Sequence, residues 1–322
     1  MNFAILGAGN IAEIMAKTIN KMEGITAYAV ASREKSKAME FSNKYKFLKA
    51  YGDYDDMLKD SNIDLVYIAT PHSLHYEHVK KCIEYGKNVL CEKAFMVNAT
   101  QAMEIFESAK KKKVFVTEAI WTRYMPSRDM IHQLINSGCI GEVTSLTANL
   151  CYSLSGKERM EEPYLAGGAL LDLGVYTINF ARMCFGDDIK KITSDAIITN
   201  KGVDASNSIT ITFMNEKMAV LHSSFKARSD RKGVLYGTKG YMEVDNINNC
   251  QKITIYNLND EVLEVHNVPD QITGYEYEVQ ACKEAINAGL LSCSQMPHEE
   301  TIYVMKIMDE IRKSWGMKYP CE

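Results

Sequence analysis

The opening residues constrain this chain more than any other stretch. Residues 3–6, F-A-I-L, form a short apolar run suited to a strand buried on both faces. They lead directly into Gly7-Ala8-Gly9-Asn10-Ile11-Ala12, which reads G-x-G-x-x-A, and Ile11, Ile14, Met15 and Ile19 then recur at helical spacing. Strand, glycine turn and helix together are the frame in which this motif signals a dinucleotide site. Gly7 permits the tight turn, Gly9 lets a pyrophosphate approach the backbone, and Ala12 lets helix and strand pack closely. The helix N-terminus at Asn10 and Ile11 offers N–H groups and a positive dipole end to phosphate.

The next strand sharpens the cofactor expectation. Residues 25–31 read as a strand that ends at Ser32 and Arg33, with Lys37 one helical turn further on. In a dinucleotide fold this end faces the adenosine ribose, where an NAD-preferring chain places a carboxylate. A carboxylate repels a 2′-phosphate, whereas an arginine can fork onto it. Ser32, Arg33 and Lys37 therefore point to NADP(H) rather than NAD. The bland alternative is that Arg33 is a solvated residue at a helix start.

Strand and helix patterns alternate with short connections up to about residue 121, the signature of a doubly wound parallel sheet. Ligands of such sheets bind at the carboxyl ends of the strands. Two apolar strands end here in chemistry-bearing residues: Thr70-Pro71-His72-Ser73-Leu74-His75 after residues 63–69, and Glu92-Lys93 after residues 88–91. Both are expected to line one crevice with the glycine turn. The spacing of His72, His75 and His78 invites a zinc reading, but no cysteine or acid nearby completes a plausible ligand set, so no metal is expected.

After Glu118 the texture changes to aromatic, then strand-rich. Residues 191–265 carry a succession of short alternating strands with hairpin turns, and helical patterns return at 275–288 and 299–315. A run of strands followed by helices is an α+β signature. The expected architecture is an α/β Rossmann domain over residues 1–121, and a substrate-binding and dimerisation domain over 122–269. The second domain is built on a large open, mainly antiparallel sheet, and helices of 270–322 return to the first domain. An open sheet with alternating faces needs a cover, which a second copy of the chain would supply as a homodimer.

Bulk composition excludes several classes. A net charge of −4 argues against a nucleic-acid or anionic-membrane partner. The basic run at 110–113 ends a helical pattern, where cations suit the dipole. Nine cysteines, an odd number without a C-x-x-C, point to reduced thiols rather than a disulfide framework. No charged-then-apolar leader and no membrane-spanning apolar run is present, so a cytoplasmic protein is expected.

Chemistry enters with Asp172 and Tyr176, four residues apart and so on one helix face, together with Lys93 from the first domain. Oxidising an alcohol requires removal of its hydroxyl proton as hydride leaves carbon. A tyrosine whose pKa a neighbouring ammonium lowers can take it. Each residue also has an ordinary reading: Lys93 as a surface cation, Asp172 as a helix cap, Tyr176 as a core aromatic.

At this point the chain resembles the glucose–fructose oxidoreductase/inositol dehydrogenase/rhizopine catabolism (Gfo/Idh/MocA) family, and within it the dimeric dihydrodiol dehydrogenase subgroup. The resemblance runs over nearly the whole chain. Its specific pieces, besides the glycine turn and Glu92-Lys93, are E-A-I-W-T-R-Y-M-P at 118–126, G-G-A-L-L-D-L-G-V-Y at 167–176 and G-T-K-G at 237–240. It implies that Arg33 and Lys37 hold a 2′-phosphate, and that His75, Lys93 and Asp172 line the coenzyme and substrate site. It further implies that Tyr176 is the acid/base and that Trp121 borders a substrate pocket, in which Arg123 is also expected. Two departures stand out: Ala94 replaces the proline that the family places after Glu-Lys, and residues 153–165 match the subgroup poorly. Inositol dehydrogenases carry histidine where this chain has Tyr176. The leading expectation is an NADP-dependent oxidoreductase acting on a vicinal diol, sugar or polyol. A non-catalytic NADP-binding sensor, and a glycosidase that recycles its nicotinamide, remain as alternatives. Retention of Lys93, Asp172 and Tyr176 together weighs against the sensor.

Overall fold

The computed structural model describes all 322 residues and divides into two compact units. One comprises Met1–Trp121 and Gln271–Met305, the other Thr122–Asp270 and Lys306–Glu322.

The first unit is built on strands β1 (Asn2–Leu6), β2 (Thr26–Ala31), β3 (Lys49–Tyr51), β4 (Leu65–Ile68), β5 (Asn88–Glu92) and β6 (Val116–Ala119). Helices α1 (Asn10–Ile19), α2 (Lys35–Tyr45), α3 (Tyr54–Leu58), α4 (His75–Glu84) and α5 (Ala99–Lys112) connect them. The six strands pair in the order β3-β2-β1-β4-β5-β6, every pair parallel. Phe3 to Leu6 and Leu65 to Ile68 are fully buried, as strands covered on both faces must be, which is why they read as unbroken apolar runs. The strand order reverses between β1 and β4, and a crevice for ligands opens at such a reversal.

The second unit begins with α6 (Pro126–Ser137), closed by Gly138 in the left-handed region, then β7 (Val143–Cys151) and the short α7 (Glu158–Glu161). A π-helical turn, Leu170–Gly174, runs into α8 (Val175–Phe185). Strands β8 (Ile189–Ile198), β9 (Asp204–Phe213), β10 (Met218–Ser224), β11 (Gly233–Gly237), β12 (Gly240–Val244), β13 (Lys252–Asn257) and β14 (Val262–Asn267) follow. With β7 they form one eight-stranded sheet, β14-β13-β12-β11-β7-β10-β9-β8, antiparallel except for the β7–β10 pair. Leu146, Leu150, Ile209, Ile211, Leu221 and Met242 point to one buried face, against which α8 packs. The alternate residues form an exposed face of mixed character, in which Thr147, Asn149, Thr210 and Thr212 stand beside Met218, Val220, Tyr236, Ile197 and Val262, with Ile197 at 70% and Val262 at 55% exposure. Tyr241 stacks on Tyr256 with ring centroids 4.6 Å apart.

The chain ends with α9 (Glu276–Asn287) and α10 (His298–Ser314). Residues 271–305 seal the β6 edge of the first sheet. Val116 N–H donates to Leu291 O at 3.0 Å, His298 Nε2 lies 2.8 Å from Val116 O, and Thr301 donates to Glu118 at 3.1 Å. The expectation that all of 270–322 returns to the first domain needs correction from Lys306 onward. The tail belongs to the second unit, because Tyr319 OH donates to Gly167 O at 2.5 Å and Arg312 lies over the Tyr319 ring at 4.9 Å.

Candidate active site

In the first unit the glycine turn binds back to the sheet, Gly7 N–H donating to Ala31 O at 3.0 Å. Gly7 has φ +103°, and a Cβ there would lie 2.7 Å from Ala69 O, so protein geometry alone demands glycine. Gly9 is different. Its φ of −96° and ψ of −172° suit any residue, and a Cβ there would meet nothing within 4 Å. No backbone or packing reason requires glycine, and α1 starts behind it with no side-chain cap. The opening that Gly9 preserves lies outside the protein's own packing, before exposed Asn10 and half-buried Ile11, and it fits a pyrophosphate.

At the end of β2, Ser32 is buried, its N–H donating to Tyr51 O at 3.2 Å. Arg33 and Lys37 are exposed, and neither makes a hydrogen bond or ion pair within the chain. Two unengaged cations beside the glycine turn fit the 2′-phosphate of NADP.

The ends of β4 and β5 are laced together through histidines. His72 Nε2 lies 3.1 Å from Lys93 O. His75 is fully buried, with Nδ1 3.0 Å from Ala94 O and Nε2 2.8 Å from Thr70 O. Burial pushes its pKa down, against the carbonyls that pull it up. His78 Nδ1 is 3.0 Å from Thr70 Oγ1, and burial pushes this ring down to about 4. His72 and His75 thus hold the Thr70-Pro71 and Lys93-Ala94 loops side by side, and His78 binds back to Thr70. The Lys93–Ala94 peptide is cis. Glu92 accepts from Tyr67 OH and, at 3.1 Å, from Lys93 N–H. Trp121 stacks on Tyr275 at 4.2 Å.

In the second unit, Asp172 and Tyr176 are both nearly buried. Tyr176 is on the first turn of α8, but Asp172 is not on an α-helix as its spacing predicts. It belongs to the π turn that precedes α8, a wider turn often found where function displaces regular geometry. The turn is held from outside: Leu170 N–H donates to Asp204 Oδ2 at 2.8 Å, and Gly168 N–H to Met160 O at 2.9 Å. Asp172 Oδ1 pairs with Arg159 Nη1 at 2.9 Å. Arg123 is buried and donates through Nε to Asn179 Oδ1 at 2.5 Å, so it braces α8 from the side.

Four residues of these surroundings escaped the sequence reading. Arg159 lies in the stretch 153–165, which the sequence marks only as a departure from the subgroup pattern. Asp204 is fully buried, which pushes its carboxyl up to about 7. Tyr319 reaches its partner from 152 residues away. Glu278 is fully buried with neither carboxyl oxygen hydrogen-bonded, and burial followed by the Glu92 charge pushes its pKa well up. Only Glu278 left a signal, an acid flanked on the inner face of α9 by Val279, Ala281 and Cys282.

Residues 1–120 match the family described as oxidoreductase family, NAD-binding Rossmann fold, and residues 129–243 match the GFO/IDH/MocA C-terminal domain. The chain is 30% identical over 326 residues to the trans-1,2-dihydrobenzene-1,2-diol dehydrogenase of Xenopus tropicalis, covering 99% of each. It is 31% identical to the D-xylose 1-dehydrogenase (NADP(+)) of Hypocrea jecorina, covering 99% of this chain and 93% of that one. A 3-ketoreductase from Actinomadura kijaniata, solved with NADP and TDP-benzene, superimposes with a TM-score of 0.88 at 20% identity, covering 97% of both chains, and so shares the fold. Matched in both halves and along its whole length, the chain belongs to the GFO/IDH/MocA oxidoreductase family.

Proposed function

We propose that the protein is an NADP-dependent dehydrogenase or reductase that interconverts a CH–OH group and its carbonyl in a vicinal diol, sugar or polyol. The observation that carries the reading is the pair of nearly buried oxygen acids, Asp172 on the π turn and Tyr176 on α8, in a chain aligned end to end with diol and sugar dehydrogenases. When bound, the nicotinamide takes up or gives back the hydride. Gly7, Gly9 and the α1 N-terminus receive the pyrophosphate, and Arg33 and Lys37 the 2′-phosphate. Thr70, Pro71, His72 and Glu92 border the coenzyme, and buried His75 fixes the loops that do so. Tyr176 Oη removes the hydroxyl proton during oxidation and returns it during reduction, Lys93 is the ammonium that assists the tyrosine, and Asp172 orients the two. Trp121 bounds the substrate, and Arg123 steadies α8 through Asn179.

The exposed apolar side chains on the outer face of the eight-stranded sheet, Ile197, Met218, Val220, Tyr236 and Val262, support a two-fold homodimer, which light scattering at micromolar concentration tests; a monomer mass would remove it. No helix is long and apolar enough to cross a membrane, and a cytoplasmic site of action is the reading we adopt.

The deciding experiment is thermal-shift titration with NADP and NAD, followed by NADPH production from trans-1,2-dihydrobenzene-1,2-diol, D-xylose and a polyol panel. Sustained NADPH formation is expected. Tight NADP binding without turnover of any compound would favour the sensor, and glycoside cleavage with no net cofactor change would favour the glycosidase.

A further inference from the structure

The ion pair on Asp172 carries a second consequence. Arg159 stands on α7, in the stretch that departs from the subgroup pattern, yet its backbone is fixed. Met160 is fully buried and its carbonyl accepts Gly168 N–H at 2.9 Å. A Cβ on Gly167 would lie 2.6 Å from Met160 O and 3.0 Å from Arg159 O, so the double glycine exists to let this segment dock. Gly167 N–H donates to Glu162 O at 3.1 Å, Lys201 pairs with the Glu162 carboxylate, and Gly156 N–H donates to Glu161 Oε1 at 2.8 Å. The turn that leads to Asp172 therefore also fixes where Arg159 stands. The guanidinium makes its one ion pair with Asp172 Oδ1 at 2.9 Å, and the side chain is 51% exposed. Its remaining N–H groups are available, because a guanidinium is a planar fork of several donors and no acceptor.

A carboxylate that only accepts and a guanidinium that only donates, one hydrogen bond apart, present complementary sites to two neighbouring oxygens. The hydroxyl beside the reacting carbinol donates to Asp172 and accepts from Arg159, and the carbinol oxygen accepts a second guanidinium N–H, so that the carbinol's single proton is left for Tyr176. We infer that Arg159 is a specificity-determining residue that reads the oxygen next to the reacting carbinol, so that the substrates are neutral 1,2-oxygenated compounds and simple alcohols are rejected. Neutrality follows from the surroundings. Asp172 offsets the Arg159 charge, and the same loop carries Glu158, Glu161 and Glu162 against Lys157, with Lys201 reaching Glu162 from the β8–β9 turn, which disfavours a sugar acid or sugar phosphate. The inference rests on the hydride-transfer reading of Asp172 and Tyr176.

The test compares wild type, Arg159→Ala, Arg159→Gln and Arg159→Lys on matched pairs, with NADP reduction as the readout. The pairs are trans-cyclohexane-1,2-diol against cyclohexanol and D-xylose against its 2-deoxy counterpart. Wild type is expected to favour the vicinally oxygenated member. Arg159→Ala and Arg159→Gln should lower kcat/KM for that member by roughly tenfold to a hundredfold, mainly through KM, so that the ratio within each pair approaches one. Arg159→Lys should restore part of it, and NADP affinity should be unaffected in all three. Equal losses on both members of a pair, or a ratio that survives in the Ala and Gln variants, would overturn the inference while leaving the proposed reaction intact. If wild type reduces NADP with none of the four compounds or with any of the preceding panel, the hydride-transfer reading falls and this inference with it. The Gln variant keeps the segment's packing, so a folding failure of the Ala variant does not remove the test.

Discussion

Two glycine turns govern this molecule, and they are glycine-rich for opposite reasons. In the first, Gly7 is required by Ala69 O, but nothing in the protein requires Gly9. In the second, both glycines are accounted for by protein atoms. Gly167 makes room for Met160 O, and Gly168, with φ +115°, has Asp204 Oδ1 only 2.3 Å from where a Cβ would lie. The first turn keeps a space that the protein does not fill, whereas the second uses its space to dock α7 and the C-terminal tail. What the difference teaches is a division of labour: one turn keeps an opening, the place we propose for the dinucleotide, and the other holds Asp172, Arg159 and Tyr176 in place.

The sharpest consequence concerns chemistry rather than binding. Tyr176→Phe keeps the ring and its packing on α8 but removes the hydroxyl. It should lower kcat by roughly 10²–10⁴-fold, the range for a lost general acid/base, and leave the NADP Kd unchanged. Near wild-type turnover, combined with an inactive Lys93→Met, would transfer the acid/base role to the lysine. A smaller effect belongs to the first turn's neighbours. Arg33→Ala should weaken NADP by roughly tenfold to a hundredfold, the worth of one charge-assisted contact to phosphate, and leave NAD nearly unaffected. Equal losses for the two cofactors, measured by calorimetric titration, would detach Arg33 from the 2′-phosphate.

The smallest effect separates the second turn's supports from its chemistry. Asp204 has Asn207, Leu170 N–H and Arg312 acting to lower its pKa, but burial outweighs them and holds it at about 7. Its unfolded value lies near 4, so between these limits the native state keeps a proton that the unfolded chain has released. Stability from this group is therefore full below about pH 4 and is lost as pH rises to about 7, at no more than roughly 1.4 kcal/mol per pH unit. Asp204→Asn cannot ionise. Urea denaturation should show the variant gaining on wild type from pH 4 to pH 7 and running parallel above it. Parallel curves throughout would mean that Asp204 is ionised in the native protein.

The same contrast explains how much was legible in the sequence. β1 and β4 read plainly because strands of a parallel sheet are buried on both faces and leave unbroken apolar runs. The second unit's strands read as alternating, which assigns faces but not neighbours. Nothing in residues 143–151 announced that β7 would lie between β11 and β10, parallel to the latter. Gly9, Arg33 and Lys37 could be picked out because the binding role proposed for them belongs to a local motif. Asp172 could be singled out as a candidate, but its π turn could not, because the turn is held at Leu170 by Asp204, 34 residues further along the chain. Arg159, Asp204 and Tyr319 act through contacts distant in sequence, and no periodicity or spacing encodes such contacts.

The first glycine turn is left open by the protein, for NADP as we propose, and the second is filled by protein atoms. The direct measurement is calorimetry on Gly9→Ala and Gly168→Ala, melting each protein alone and then titrating NADP. Gly9→Ala should lose no more than about 1 kcal/mol of stability, the ordinary cost of alanine at a helix N-cap, yet bind NADP at least roughly tenfold more weakly. Gly168→Ala should bind NADP as wild type does but melt several degrees lower, from a strained left-handed alanine pressed against Asp204. A Gly9→Ala protein that binds NADP normally, or a Gly168→Ala protein that melts like wild type, would contradict the account.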